Sequence, residues 1–421
     1  MDSKGIDPRA PGGWASQEFA RAHFGDQRLT SRLIRVADRI SELPESPINQ
    51  AGQNWAETQG AYRFFQHDHG VAAEILTPHV QQTVVRARQY NTVLAIQDTS
   101  YFSYTSHKKT QGLGTISRRP GTHVEMMSSQ GIVMHTAFAV TTDGLPLGLL
   151  DQKVFARQSP PEALKQLKQR SHNNSVPIAD KESFRWLASL SKTEQVTANA
   201  GVQVVTVCDR EGDMYELFEL ANTNAASIVV RASKDRLINK SSRYATKPVH
   251  RLWSYMQSLA SQGKIAVEIP AGDHKPARVA RLAFRFGSLK LPPPRNHLRH
   301  TTEALPDLDL SAIDLVESAP PATEDPLEGR LLTNLAVTNV EQAIEKVRWD
   351  CLRWRIEVFH KIVKSGLKVE ACRLQTADRL MRYLTLMRVI AWRIFWLTLL
   401  GRSHPDLPCS SLLADEEWKV L

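Results

Sequence analysis

Two short apolar runs, each closed by an aspartate, constrain this chain more than any other feature. Residues 91–97 (NTVLAIQ) lead into Asp98, and residues 203–208 (QVVTVC) lead into Asp209. Runs this short, without a polar stripe, read as strands buried on both faces. Residues 227–231 read the same way. Residues 132–140 and 145–155 read as strands on either side of a Thr142-Asp143-Gly144 turn signal. Helical periodicity surrounds them, over 17–42, 55–66 and 71–89, then 180–191 and 213–222, and finally 340–366 and 370–400. Strands interleaved with helices predict a mixed α/β fold.

Charge is distributed unevenly. The 421 residues carry 53 Lys and Arg against 44 Asp and Glu, a net +9. Residues 231–299 hold 15 basic and 3 acidic residues (+12), whereas 301–329 hold eight acids and no Lys or Arg (−8). Residues 351–400 return to ten basic against three acidic, and residues 1–90 are balanced at ten each. Two basic blocks around an acidic, Pro-rich connector favour a polyanionic partner, with solvated surface as the plainer reading of either block alone. The basic block reads as β-rich (IAVEIP, RVARLAFRF), residues 292–329 as loop or partly disordered, and residues 330–338 as a strand. The four cysteines form no C-x-x-C pair, which argues against a zinc ribbon and fits a reducing compartment. No apolar leader is visible at the N-terminus. The most apolar stretch, 380–400, contains Arg382, Arg388 and Arg393, so it reads as a buried helix and not a membrane span.

Asp98 and Asp209, each at the end of a buried strand, could converge at one sheet edge. Glu357, in a helical pattern rich in Arg and Lys, is the third acid of interest. Three carboxylates brought together repel unless a cation lies between them, and Mg²⁺ with its oxygen preference suits that role. Each acid also has an ordinary reading, as a turn or cap residue for the aspartates and an ion-pair partner for Glu357. Ideal helical spacing puts Asp350, Arg353, Glu357 and Lys364 close to one face, an acid flanked by phosphate-seeking cations.

Several local sequences resemble one family. Gln97-Asp98-Thr99-Ser100, Cys208-Asp209-Arg210-Glu211-Gly212-Asp213 and the run from Arg353 through Glu357, His360, Lys361 and Lys364 to Gly366 are similar to the signatures of bacterial DDE transposases. The class is that of insertion sequence four, which includes the transposon-five transposase. Phe24-Gly25-Asp26-x-Arg28, Gly60-Ala61-Tyr62-Arg63-Phe64, Lys181-Glu182-Ser183 and Val229-Val230-Arg231 extend the resemblance over roughly residues 14–400.

The resemblance implies a ribonuclease-H-like core over 91–231 and 331–370. It implies a helical DNA-end-binding domain over 1–90, a basic β-rich insertion with its connector over 232–330, and a C-terminal helical dimerisation region over 371–421. Asp98, Asp209 and Glu357 would be the catalytic, metal-holding triad, with Mg²⁺ as cofactor and Mn²⁺ able to substitute. Arg231, Arg353, Lys364, Arg210 and Lys361 would contact DNA. The partners would be transposon-end inverted repeats, target DNA and a second copy of the chain, with no membrane, in the bacterial cytoplasm at the nucleoid. The reaction would be cut-and-paste: end nicking, hairpin formation and strand transfer.

This sequence departs from the family at two places. Asp350 occupies the signature tyrosine position, where a carboxylate is expected to repel phosphate. Gly329 follows Pro326-Leu327-Glu328 where the family often carries a base-stacking Trp. Both departures are expected to weaken hairpin chemistry while sparing the triad. They keep open two alternatives, a degenerate DNA-binding copy that inhibits transposition and a nuclease without strand transfer. His135 reads as a satisfied core histidine, His360 as structural or DNA-facing, Cys208 as a small buried residue, and the aromatics near 392–396 as core.

Overall fold

The structure, a computed structural model, describes residues 13–67, 71–118, 128–158, 177–238, 250–269, 276–294, 305–321, 325–411 and 413. The chain begins with helices α1 (Gly13–Phe19), α2 (Gln27–Glu42), α3 (Ile48–Ala51), α4 (Trp55–Gln66) and α5 (Val71–Ala87), followed by strands β1 (Thr92–Ser103), β2 (Gly114–Arg118), β3 (Ser128–Thr141) and β4 (Pro146–Phe155). Next come α6 (Phe184–Thr197), β5 (Gln203–Cys208), α7 (Tyr215–Thr223), β6 (Ser227–Arg231), β7 (Leu237–Ile238), β8 (His250–Arg251) and α8 (Leu252–Ser258). Strands β9 (Gly263–Ile269), β10 (Arg278–Leu291), β11 (Leu308–Glu317) and β12 (Glu328–Thr333) precede α9 (Val340–Leu352), α10 (Trp354–Lys361) and α11 (Ala377–Ser403). The fold is mixed α/β, as the alternation of patterns predicts. Two compact units divide it: residues 1–159, 192–203 and 355–421, and residues 160–191 and 204–354.

In the first unit the expected helix over 17–42 is two helices. The chain turns at Gly25, whose φ of +75° suits glycine, and Asp26 then caps α2 by accepting from the Arg28 N–H at 2.9 Å. Asn54 caps α4 by accepting from the Glu57 N–H at 2.9 Å. Strand β3 pairs antiparallel with β1, β2 and β4. Strand β1 does not stop at Asp98. Asp98 lies opposite Thr136, and pairing continues to Ser103 opposite Gly131, so the ladder carries the strand past the polar residue.

A buried polar cluster ties α1 to α5 and β4. Arg86 donates to both Glu18 oxygens, at 3.0 and 3.1 Å, and to the Leu147 carbonyl at 2.7 Å. His79 Nε2 accepts from the Leu149 N–H at 2.9 Å, so its proton lies on Nδ1, which donates to Glu18. Helix α11 is long and apolar enough to cross a membrane by length and composition, yet 72% of its most apolar window is buried within the protein. Arg388 within it is buried, donates to Thr136 and lies over the Phe359 ring. Trp392 is fully buried against His79 and Arg86, which makes it core, as expected.

In the second unit β5 and β6 pair parallel, and β6, β12, β11, β10 and β9 then pair antiparallel in that order. Trp186, Phe218, Ile228, Val230, Leu252 and Leu310 belong to its buried core. The connector corrects one expectation, because residues 308–317 form β11, a largely buried strand, and not a loop. Its acids face the basic strand β10. Lys290 lies opposite Asp309 and bonds it at 2.7 Å, Arg285 bonds Asp314 at 3.1 Å, and Arg278 pairs with Glu317. Arg330 of β12 approaches Asp314 at 3.2 Å from the other side. Residues 295–304 and 322–324 of the connector lie outside the described residues.

Candidate nucleic-acid interface and acidic site

The N-terminal helices present a basic face. Arg28, Arg32, Arg35 and Arg39 of α2 follow helical spacing and so share one side. Asp26 holds Arg28, and Glu42 and Glu57 hold Arg39. The hydrogen bond from Arg28 is also what keeps the Asp26 carboxyl below its usual range. Arg32 and Arg35 are exposed, and neither has an ion-pair partner among the described residues. Arg32 crosses α4 at Gly60, where a Cβ would fall 1.7 Å from its guanidinium, so glycine permits this close passage. These arginines line a cleft of ≈ 210 Å³ together with Ile48, Asn54 and Ala61. On the same domain, Trp55 at the start of α4 is 77% exposed. Exposed cations and a large exposed aromatic on one domain suit phosphates and bases.

Asp98 and Glu357 belong to the first unit. Asp98 Oδ2 lies 3.4 Å from His360 Nδ1, and His360 is buried. Burial lowers the His360 pKa, against the opposing hydrogen bond and charge of Asp98. Glu357 stands in the first turn of α10. Beyond α10 the helix loosens into a π-turn, Ile362–Gly366, which carries Lys364. Lys364 lies 5.5 Å over the Phe102 ring, and burial lowers its pKa, with Glu370 and Asp98 acting the other way. Lys361 is exposed. On the neighbouring residues of β1, Gln97 and Thr99 hold His135, whose Nε2 is 3.2 Å from Gln97 Oε1 and whose Nδ1 is 2.9 Å from Thr99 Oγ1. That makes His135 the satisfied core histidine the sequence suggests.

Asp209, Arg210, Arg231, Asp350 and Arg353 belong to the second unit. Asp209 follows β5 and caps the 3₁₀ turn Arg210–Gly212, accepting from the Glu211 N–H at 2.8 Å. The expected single face from Asp350 to Lys364 is not one stripe. Helix α9 ends at Leu352, α10 begins at Trp354, and the boundary between the units falls there. Asp350 is buried, with 7% of its surface exposed. It accepts from Arg231 Nε at 3.1 Å, and its other oxygen is 3.9 Å from Arg353 Nε. Burial raises the Asp350 pKa, and Arg231, Arg353 and Arg210 pull it back down. Beyond the expected repulsion of phosphate, Asp350 has a role inside the protein. It holds Arg231, one of the expected DNA contacts, in a direct ion pair and sits close to Arg353. Gly329 lies in β12 opposite Leu315, and a Cβ there would meet the Leu315 Cδ1 at 3.2 Å.

Within each unit, no three His, Cys, Asp or Glu side chains among the described residues are gathered as around a metal ion. Asp98, Asp209 and Glu357 are hard oxygen donors of the class Mg²⁺ prefers, but they are not assembled in a ready-made cluster within either unit. Sequence reasoning missed the arginine face of α2, although its spacing is visible in residues 28–39. It also missed the Asp350 ion pair, which joins residues 119 positions apart and leaves no local signal. Residues 11–69 match the family model described as transposase DNA-binding, and the N-terminal helices of this chain are a transposase-type DNA-binding domain.

Proposed function

We propose that this chain is a DDE transposase of the insertion-sequence-four class, which binds transposon-end DNA through residues 13–67 and cuts and rejoins it. The match of residues 11–69 to transposase DNA-binding domains, on helices that expose Arg32 and Arg35, carries the reading. The rest of the chain would be a ribonuclease-H-like core, acting as a homodimer on paired inverted repeats in the bacterial cytoplasm. Asp98, Glu357 and Asp209 are the acids that would hold Mg²⁺, or Mn²⁺ in its place. Bound there, the ion would supply Lewis acidity at the scissile phosphorus and activate the attacking oxygen.

The chain's own residues would do the remaining work. His360 would orient the Asp98 carboxylate. Arg231 and Arg353 would hold a backbone phosphate once Asp350 yields them, with Arg210, Lys361 and Lys364 adding positive potential. The hold of Asp350 on Arg231 also favours a second reading, a copy that binds transposon ends but forms hairpins poorly.

Incubating the full chain with a labelled, pre-nicked end duplex and Mg²⁺ separates the two. Hairpin product that disappears in Asp209→Ala supports the transposase. Specific binding without product supports the binding-only copy. Neither binding nor product with the natural end sequence overturns both.

A further inference from the structure

The second unit contains a cleft of which the reading above uses only Arg210. Its volume is ≈ 790 Å³, within the range of built ligand sites. Ile178, Met214, Leu237, Pro292 and Pro293 form half-buried apolar surface inside it, and Lys181, Arg210 and Lys234 stand among its lining residues. Two further cations are already committed to the walls. Arg185 bonds Glu211 at 2.8 Å and Glu182 at 3.3 Å, and Arg236 pairs with buried Asp213. Asp213 also accepts the Ser233 N–H at 2.6 Å and the Lys234 N–H at 3.2 Å, so a single carboxylate fixes the 233–236 segment along the rim. The side chains of Lys181 and Lys234, by contrast, have no ion-pair partner among the described residues. The walls are therefore pre-organised, and beyond these pairs Lys181, Arg210 and Lys234 outnumber the one other lining acid, Glu216, so the net charge of the lining is positive.

A duplex offers such a cleft its phosphates and groove edges but no base face, because the faces are stacked inside. An unpaired strand can place phosphates on a basic rim and lay a base on apolar side chains. Met214 suits this role, since a flexible, polarisable side chain adapts to any base. We propose that this cleft binds single-stranded DNA, with Lys181 and Lys234 on its phosphates and a base against Met214 and the proline faces. The proposal rests on the reading of the chain as a DNA-processing protein, and it assigns the unpaired strand a seat separate from the N-terminal duplex-binding face.

The test is fluorescence anisotropy on the full chain with labelled oligothymidylate, an abasic strand of equal length and an end duplex. The Lys181→Ala/Lys234→Ala variant should bind oligothymidylate roughly tenfold more weakly, with a salt slope lower by about 1.4, while duplex affinity stays unchanged. The unaltered chain should bind the abasic strand roughly tenfold more weakly than oligothymidylate. Unchanged single-strand affinity in the variant overturns the proposal, as does an equal loss on duplex or equal binding of the abasic strand. An Arg32→Ala/Arg35→Ala variant that keeps full duplex affinity, while the lysine variant loses the single strand, overturns the N-terminal reading and leaves the cleft standing. A chain that binds neither probe overturns both.

Discussion

Asp350 shows how one side chain changes the meaning of a motif. In the sequence it interrupts a phosphate-binding signature. In the structure it is the counter-charge of an arginine on another element, and its burial leaves the carboxyl with a raised pKa. A carboxyl whose folded pKa is raised contributes its stability below the unfolded value of 3.8 and loses it as pH rises through the folded value. Asp350→Asn should therefore be at least as stable as the unaltered protein at pH 7, with the difference closing below about pH 4. Melting curves across pH check this. The same variant should bind DNA more tightly, with a salt slope steeper by about 0.9 for each arginine released.

Glu18 has the opposite sign. Burial pushes its pKa up, but Arg86 and His79 outweigh burial and hold it at about 2, from 4.5. Its contribution, on the order of 3 kcal/mol, is present above pH 4.5 and lost as pH falls toward 2. Glu18→Gln should lower stability by about that amount at pH 7 and much less near pH 2, as read by urea titration at both pH values.

At the scale of elements, the pairing of β10 with β11 decides what the charged blocks do. The sequence reading took the basic block as a polyanion surface, but part of it is matched, strand against strand, by the acids of the connector. Asp314, 1% exposed between Arg285 and Arg330, is the centre of this ladder. Asp314→Ala should destabilise the protein by about 3 kcal/mol, since it strands two partly buried guanidinium groups. Duplex affinity should stay unchanged, because Arg285 and Arg330 are committed to an acid within the sheet. Helix α2 behaves differently, since Arg32 and Arg35 meet no acid among the described residues. Replacing both with Ala should cut the salt slope of duplex binding by about 1.8 with little change in melting temperature.

For the whole molecule, binding and chemistry should separate. The DNA-binding helices form a local assembly of the first unit, whereas the proposed triad draws Asp98 and Glu357 from that unit and Asp209 from the other. Asp209→Ala, or removal of divalent ions with a chelator, should abolish cleavage of end DNA while leaving duplex affinity within about twofold by gel shift. Loss of binding in either case would mean that the acids act on the fold and not on the reaction.

Local pattern was enough for the mixed α/β class, the five-residue strand at 227–231, the aspartate after β5, the buried C-terminal helix and the satisfied His135. Each depends on a few neighbouring residues and the periodicity of one element. Tertiary structure decided the rest. It carried β1 past Asp98 because β3 continues to pair with it, and it ended one helix at Leu352 and began the next at Trp354, inside the pattern that runs from Asp350 to Lys364. It also converted the connector from loop to strand, where basic neighbours on β10 and Arg330 on β12 satisfy its acids. Those outcomes turn on long-range pairing and buried charge, whose energies depend on residues far away in sequence, so no local window contains them.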